Sequence, residues 1–413
     1  MIFTFDSSQP GAPVLSGTAG ALRTLLKACL VDGFGAGAVA TLTVSGGIAT
    51  ATYAGAHPFK VGYVAQFAGA TPAGLNGNKV ILSATGTSVT FAAPGVPDGA
   101  ATGTITSKAA PAGWQELFAG SLANVIALKP SVVEATGCVL RVDDTGTINA
   151  RVRAYEAMSD ISTGVGMTPL ESQAAGGLWW PKSATANATA RAWILEADAR
   201  GFYLAVAPAG GDRYTLLFAG DIASLKSGDA YGYLLTGNQA DQTNTSSVPD
   251  GCVGYSHRSA RTGAYLVRAH TAIGQSTAAE RIGAHHNGST ADVYAGTAGY
   301  SVGTYPNGPN NGLMTGALEL HALGIRGALP GLLHPVQDCG NAFATRAMVE
   351  GTGDLAGRRL MAIRTAPPAG AVVAGTVFID ITGPDQKAGL GASFNVHDCT
   401  KIERQRQQPP GQQ

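Results

Sequence analysis

The sequence predicts a mainly β protein: a β-sandwich or barrel-like main domain with one N-terminal amphipathic helix and an inserted small all-β module. Three observations carry that expectation. Glycine supplies 57 of 413 residues, about twice the usual ~7% share. Charged residues make up 13%, against a typical ~25%. Short alternating apolar runs recur between Gly, Pro and Asn, the rhythm of strands joined by tight turns.

Length admits about three domains of roughly 150 residues, or fewer if a large β domain merges two. The low charge fits a subunit whose faces are largely covered by neighbours. The 27 basic and 27 acidic residues cancel, and no basic stripe supplies the electrostatic footprint of nucleic-acid binding. MIFTFDSSQPGAPVL at the start has no basic region and no continuous apolar segment, so no secretory signal is expected. No run of about 18 apolar residues exists, so no spanning helix is expected. Cys29, Cys138, Cys252, Cys339 and Cys399 lie far apart and include no C-x-x-C pair. They read as reduced thiols, or, for Cys399 in the polar C-terminal region, as one half of an inter-subunit disulfide.

In chain order, Phe3 and Phe5 alternate with Thr4 in an extended arm that Pro10 and Pro13 keep from becoming helical. Residues 17–31 are the clearest helix. Leu22, Leu25, Leu26, Cys29 and Leu30 form one apolar stripe, Ser16 or Thr18 is the expected cap, and Asp32-Gly33 the stop. Residues 38–108 then hold strands at 41–44, 48–53, 61–67, 79–82, 88–91 and 103–106, with Ser45-Gly46-Gly47 and Asn76-Gly77 as turns. That spacing fits a small barrel or sandwich. Gly33-Phe34-Gly35 and Pro111-Ala112-Gly113-Trp114 on either side would join directly, which marks the block as an insertion.

The pattern His57-Pro58-Phe59, Gly62, Ala70-Thr71-Pro72-Ala73-Gly74-Leu75-Asn76-Gly77 and Thr87–Phe91 resembles small β modules of bacteriophage tail and other virion proteins. The stretch from Gly113 to Val377–Asp385, through Val139–Gly146 and Leu329-Pro330-Gly331-Leu332, resembles structural proteins of phage and prophage virion gene clusters more loosely. The resemblance implies a structural or interaction role and brings no catalytic residues with it.

Residues 109–330 read as the main domain. Cys138–Val142 and Asn149–Tyr155 flank an Asp143-Asp144-Thr145-Gly146 turn, and strands follow at 191–196, 202–207, 214–218, 231–235 and 263–267. Residues 238–250 and 284–312 read as loops. Residues 331–400 form a C-terminal β segment, with strands expected at 359–364 and 372–381 (a further one, 318–323, ends the main domain), and 401–413 a flexible tail.

Short catalytic look-alikes fail on context. Gly299-Tyr300-Ser301-Val302-Gly303 fits a nucleophile elbow, but TYPNGPNNG after it cannot be the required helix. Gly351-Thr352-Gly353 lacks a following phosphate-loop lysine, and adjacent His285 and His286 point apart on a strand. No catalytic residue, cofactor or metal is expected.

The aromatic residues give the remaining lead. Trp179 and Trp180, and Tyr294, Tyr300 and Tyr305 in the glycine-rich loop, are candidate interface anchors or core residues, with Phe3 and Phe5 as anchors on the arm. The expectation is a virion structural protein, made in the host bacterial cytoplasm. It assembles with copies of itself and with other virion proteins, in the tail or baseplate. The alternatives are a capsid decoration or vertex protein, a module binding host-surface glycan, or a glycoside-cleaving enzyme with two carboxylates about 5–10 Å apart.

Overall fold

The computed structural model describes residues 1–210 and, beyond them, strands at 215–223, 232–238, 262–268, 277–279, 314–315, 333–336, 341–345 and 377–378. The strands expected at 318–323 and 359–364, the C-terminal tail, Cys399 and the tyrosine loop lie outside the described residues. The protein is mainly β, with antiparallel sheets and one short helix near the N-terminus.

The chain opens with β1 (Phe3–Asp6) and reaches α1 (Ala21–Lys27), which runs on into one wider turn over Ala28–Asp32. Leu22, Leu25, Leu26, Cys29 and Leu30 are all buried, as their spacing predicts. Neither Ser16 nor Thr18 caps the helix. Gly20 occupies the capping position at φ 80°, and the carboxylate of Asp144, 122 residues away, accepts from Leu22 N at 2.7 Å and Arg23 N at 3.0 Å. A cap from a distant turn has no local signal, so the helix starts four residues later than its sequence suggests.

Next come β2 (Phe34–Ala38), β3 (Thr41–Ser45), β4 (Ile48–Thr52), β5 (Val64–Ala68), β6 (Gly77–Ala84), β7 (Ser88–Ala92), β8 (Gly99–Ala100) and β9 (Thr106–Ala109). The order β2-β9-β5-β6-β7-β4-β3-β8 closes on itself, because β2 runs directly into β3. β2 pairs with β9 at one end of this bent strand, and β3 pairs with β4 and β8 at the other. The product is a small antiparallel barrel. Gly46 and Gly47, at φ 58° and 78°, make the two-residue turn between Ser45 and Ile48. Of the strand expected at 103–106, only Thr106 is extended, as the first residue of β9, and 103–105 belong to the break after β8. Leu42, Val44, Ala65, Phe67, Leu75, Ile81, Val89 and Phe91 fill the barrel. Residues 70–77 plug one end: Asn76 ties the loop through Ala70 N and O, both at 2.8 Å, and Leu75 drops inside.

After the barrel the chain builds β10 (Trp114–Leu117), β11 (Val125–Pro130), β12 (Val139–Asp143) and β13 (Asn149–Tyr155). A two-stranded hairpin follows, β14 (Ala157–Met158) and β15 (Gly164–Val165), then β16 (Leu178–Pro181), β17 (Trp193–Ala197), β18 (Gly201–Val206), β19 (Thr215–Ala223), β20 (Gly232–Asn238) and β21 (Thr262–Arg268). Each neighbouring pair in the path β10-β11-β12-β13-β16-β20-β19-β18-β17-β1 is antiparallel. The sheet curls into a half-barrel that brings β10 against the β17–β18 hairpin. Trp114 on β10 donates to Asp198 O at 3.0 Å and meets the Phe202 ring edge-on at 5.6 Å. Helix α1 fills this half-barrel, and its leucines join Trp114, Leu128, Leu140, Trp180, Trp193 and Phe202 in one core. Phe34 and Ala109, paired at the foot of the barrel, belong to that core, as do Val64, Ala110 and Ala112.

Candidate functional site

Among the described residues, those singled out from the sequence do not converge on one place. Phe3 and Phe5 are core residues of this chain, 6% and 2% exposed, because β1 pairs with β17 through Phe3↔Ala197 and Phe5↔Leu195. This corrects their reading as arm-borne anchors: both phenyl rings are spent inside their own fold. Of its two readings, anchor or core, Trp180 takes the core one and not the interface one, fully buried with its indole N–H donating to Thr236 O at 2.6 Å. Adjacent strand residues point to opposite faces, so Trp179 lies on the outer face, half-buried. The Arg151 guanidinium stacks 3.6 Å from the centre of its ring. Trp179 is therefore a partnered indole, with one face taken. Tyr294, Tyr300 and Tyr305 lie outside the described residues.

Around Trp179, the arginines of the outer face hold the 156–177 segment on the sheet. Arg141 Nε donates to Ile161 O at 2.7 Å, Arg151 to Gly177 O at 2.7 Å, and Arg153 pairs with Glu171. These cations are spent on the fold's own carbonyls and carboxylates.

A second cluster, which sequence reasoning missed, lies at the seam between the N-terminal arm and the barrel. Asp6 ends β1 with its carboxylate buried. Oδ1 accepts from Ser8 N at 2.8 Å and Ser8 Oγ at 2.6 Å, and Oδ2 accepts from Lys60 Nζ at 2.7 Å and from the Tyr63 hydroxyl. Gln9 completes the clasp, donating through Nε2 to Pro58 O at 2.7 Å. Burial raises the Asp6 pKa, but bonds from Lys60, Ser8 and Tyr63 outweigh it and hold the carboxyl below its usual 3.8.

Beside this clasp is a cleft of about 190 Å³, lined by Pro10, Gly35, Tyr53, His57, Pro58 and Ser107 among others. Small-molecule sites usually offer ~300–1,000 Å³. His57 lies near Tyr53 and Phe59, at centroid distances of 4.9 and 5.5 Å. Its Nδ1 accepts from Phe59 N at 3.3 Å, which assigns the proton of the neutral ring to Nε2. Nε2 is shielded and unpartnered among the described residues. Tyr53 and Ser107 share a hydroxyl bond of 3.0 Å, and burial pushes the phenol up to about 12 despite that bond. At neutral pH this is a protonated phenol bonded to the serine hydroxyl. The His-Pro-Phe triplet is thus where the barrel meets the arm, a contact visible only once both are folded.

Cys29 and Cys138 are free and buried. Desolvation pushes both thiols up, Cys138 to about 12, so neither is a thiolate at neutral pH. No group of three or more metal-ligating side chains occurs among the described residues. No helix among them is long and apolar enough to cross a membrane. No protein-family model matches the chain, and no curated protein matches it.

Proposed function

We propose that this chain is a structural component of a bacteriophage virion, assembling with itself and with neighbouring virion proteins in the tail or baseplate. One observation carries the reading: residues that resemble phage tail modules are among those that close the barrel and seat it on the body. Leu75 and Asn76 plug and tie the barrel end. Pro58, of the His-Pro-Phe triplet, accepts the Gln9 bond at the seam. The barrel keeps its own core and joins the body by two adjacent chain segments. Such a layout holds a separate module out on a larger body, which suits a subunit that contacts neighbours in a particle. Trp179, stacked by Arg151, offers less of itself to a sugar than an open indole would.

The test is quantitative mass spectrometry of particles purified from the bacterium that carries the gene, with sedimentation of the purified chain in parallel. The expected result is this chain at a fixed ratio to other particle proteins, and self-association in solution. Absence from intact particles overturns the proposal. Hydrolysis of surface polysaccharide by the purified chain would replace it with an enzymatic reading.

A further inference from the structure

Lys182 and Asp144 are both fully buried and in direct contact, Nζ against Oδ1. Lys182 follows β16, and its backbone N bonds to Ile148 O at 2.9 Å. Asp144 follows β12 in the turn toward β13, and its own carbonyl accepts from Gly20 N at 2.8 Å. The backbone on both sides is thus fixed, and the side chains meet in the core at the start of α1. Two further contacts set the orientation. Nζ also donates to Thr18 O at 2.7 Å, and the carboxyl oxygen turned away from the lysine, Oδ2, receives the N–H groups of Leu22 and Arg23 at 2.7 and 3.0 Å.

We propose that Lys182 and Asp144 condense into an intramolecular isopeptide bond, Nζ to Cγ. The geometry supplies each element of acyl transfer: an amine held against a carboxyl, and two backbone donors on the oxygen that gains charge. In the ion pair, one ammonium proton passes to Oδ1, leaving a neutral amine and a carboxylic acid. The amine lone pair attacks Cγ, and the C–O π electrons move onto Oδ2 between the two N–H donors. A second Nζ proton passes to the Oδ1 hydroxyl, the Cγ–Oδ1 bond breaks, and water leaves as the carbonyl reforms on Oδ2. Ammonium and carboxylate become one amide and one water, with no oxidant, reductant or cofactor. Burial favours the neutral partners that react: desolvation raises the Asp144 pKa and lowers that of Lys182, although each opposes the shift in the other. The bond would clamp the hairpin turn, the end of β16 and the start of α1 together.

The experiment is the intact mass of the full, natively folded chain after denaturation, followed by tryptic mapping. The expected mass is below the sequence value by one water, about 18 Da. Residues 142–151 should be recovered joined to residues 154–191, because an acylated Lys182 is not cleaved by trypsin. Lys182→Arg and Asp144→Ala should keep the full sequence mass. A wild-type chain at the full mass, with 183–191 released as a separate peptide, overturns the proposal, whether or not the variants fold. So does a loss of water that persists in Lys182→Arg, since cyclisation at Asp32-Gly33 or Asp98-Gly99 produces the same mass change.

Discussion

Excising the barrel tests how the two parts of the molecule depend on each other. Phe34 and Ala109 are direct partners across the stem, so removing residues 35–108 and inserting Asn-Gly leaves a two-residue turn between paired positions. Joining Gly35 to Pro111 instead would delete Ala109 and Ala110, which the main core buries. The cost comes from what the body loses. Val64 leaves the main core, at about 1.5–3 kcal/mol for a buried aliphatic side chain. Asp6 loses Tyr63 and Lys60; bonds to a charged group are each worth ~1.5–3 kcal/mol. The Lys60 share is smaller, because its side chain is 35% exposed. The Gln9 bond to Pro58 O goes too, at about 0.5–1.5 kcal/mol, and the whole is roughly 4–8 kcal/mol, against typical domain stabilities of ~5–15 kcal/mol. The excised chain should therefore fold, with a lower Tm, and Asp6→Asn should recover part of the loss by removing a stranded charge. All four tryptophans lie outside the excised segment, so their emission reports the body alone in both chains. A sloping, non-cooperative Trp melt in the excised chain, with and without Asp6→Asn, would show that the body cannot fold without its barrel.

Other outcomes follow from individual side chains. The Asp6 pKa is depressed on folding, so its stabilisation is complete above the unfolded value of 3.8 and is lost as pH falls through the lower folded value. Melting temperatures of wild type and Asp6→Asn should therefore converge below pH 3.8; a constant gap down to full acid unfolding refutes this. Cys29 and Cys138, buried and pushed up, should stay unalkylated in the native chain and label only on unfolding, as read by peptide mapping. The tryptophan pair should split: Trp180→Ala costs about 3–5 kcal/mol through its cavity and orphans Thr236 O, whereas Trp179→Ala costs about 1 kcal/mol through the lost Arg151 stack. Equal costs in urea denaturation would contradict their placement on opposite faces.

What the sequence revealed was local. Ser45-Gly46-Gly47-Ile48 and the turn at Asp143-Asp144 follow from turn chemistry and flanking alternation, and the helix stripe follows from spacing. Period-2 alternation would also have separated Trp179 from Trp180, had the pair been read as a strand instead of as an aromatic patch. In 61–67 the same alternation puts Val61, Tyr63, Ala65 and Phe67 on one face; Ala65 and Phe67 lie in the barrel core, but Val61 is 56% exposed because the strand begins only at Val64. The rest depends on contacts between distant segments. Nothing near Asp6 announces Lys60 and Tyr63, and nothing near Lys182 announces Asp144. Sequence reasoning assigns such charges to the surface, since an unpaired buried charge is costly. Only the folded pairing makes the interior tolerable for them.

The ring closure of the barrel also bears on solubility at high copy number. A sheet that ends in an unpaired strand offers its backbone to any neighbour, a liability that grows when many copies are held side by side. Here β4 through β7, β9 and β3 find partners within the ring, leaving open only short lengths on the outer sides of β2 and β8. Pro10 and Gly11 lie against the first of these, and a proline there has no N–H to give. Crowded copies of such a barrel can meet through loops and side chains without adding strand to strand.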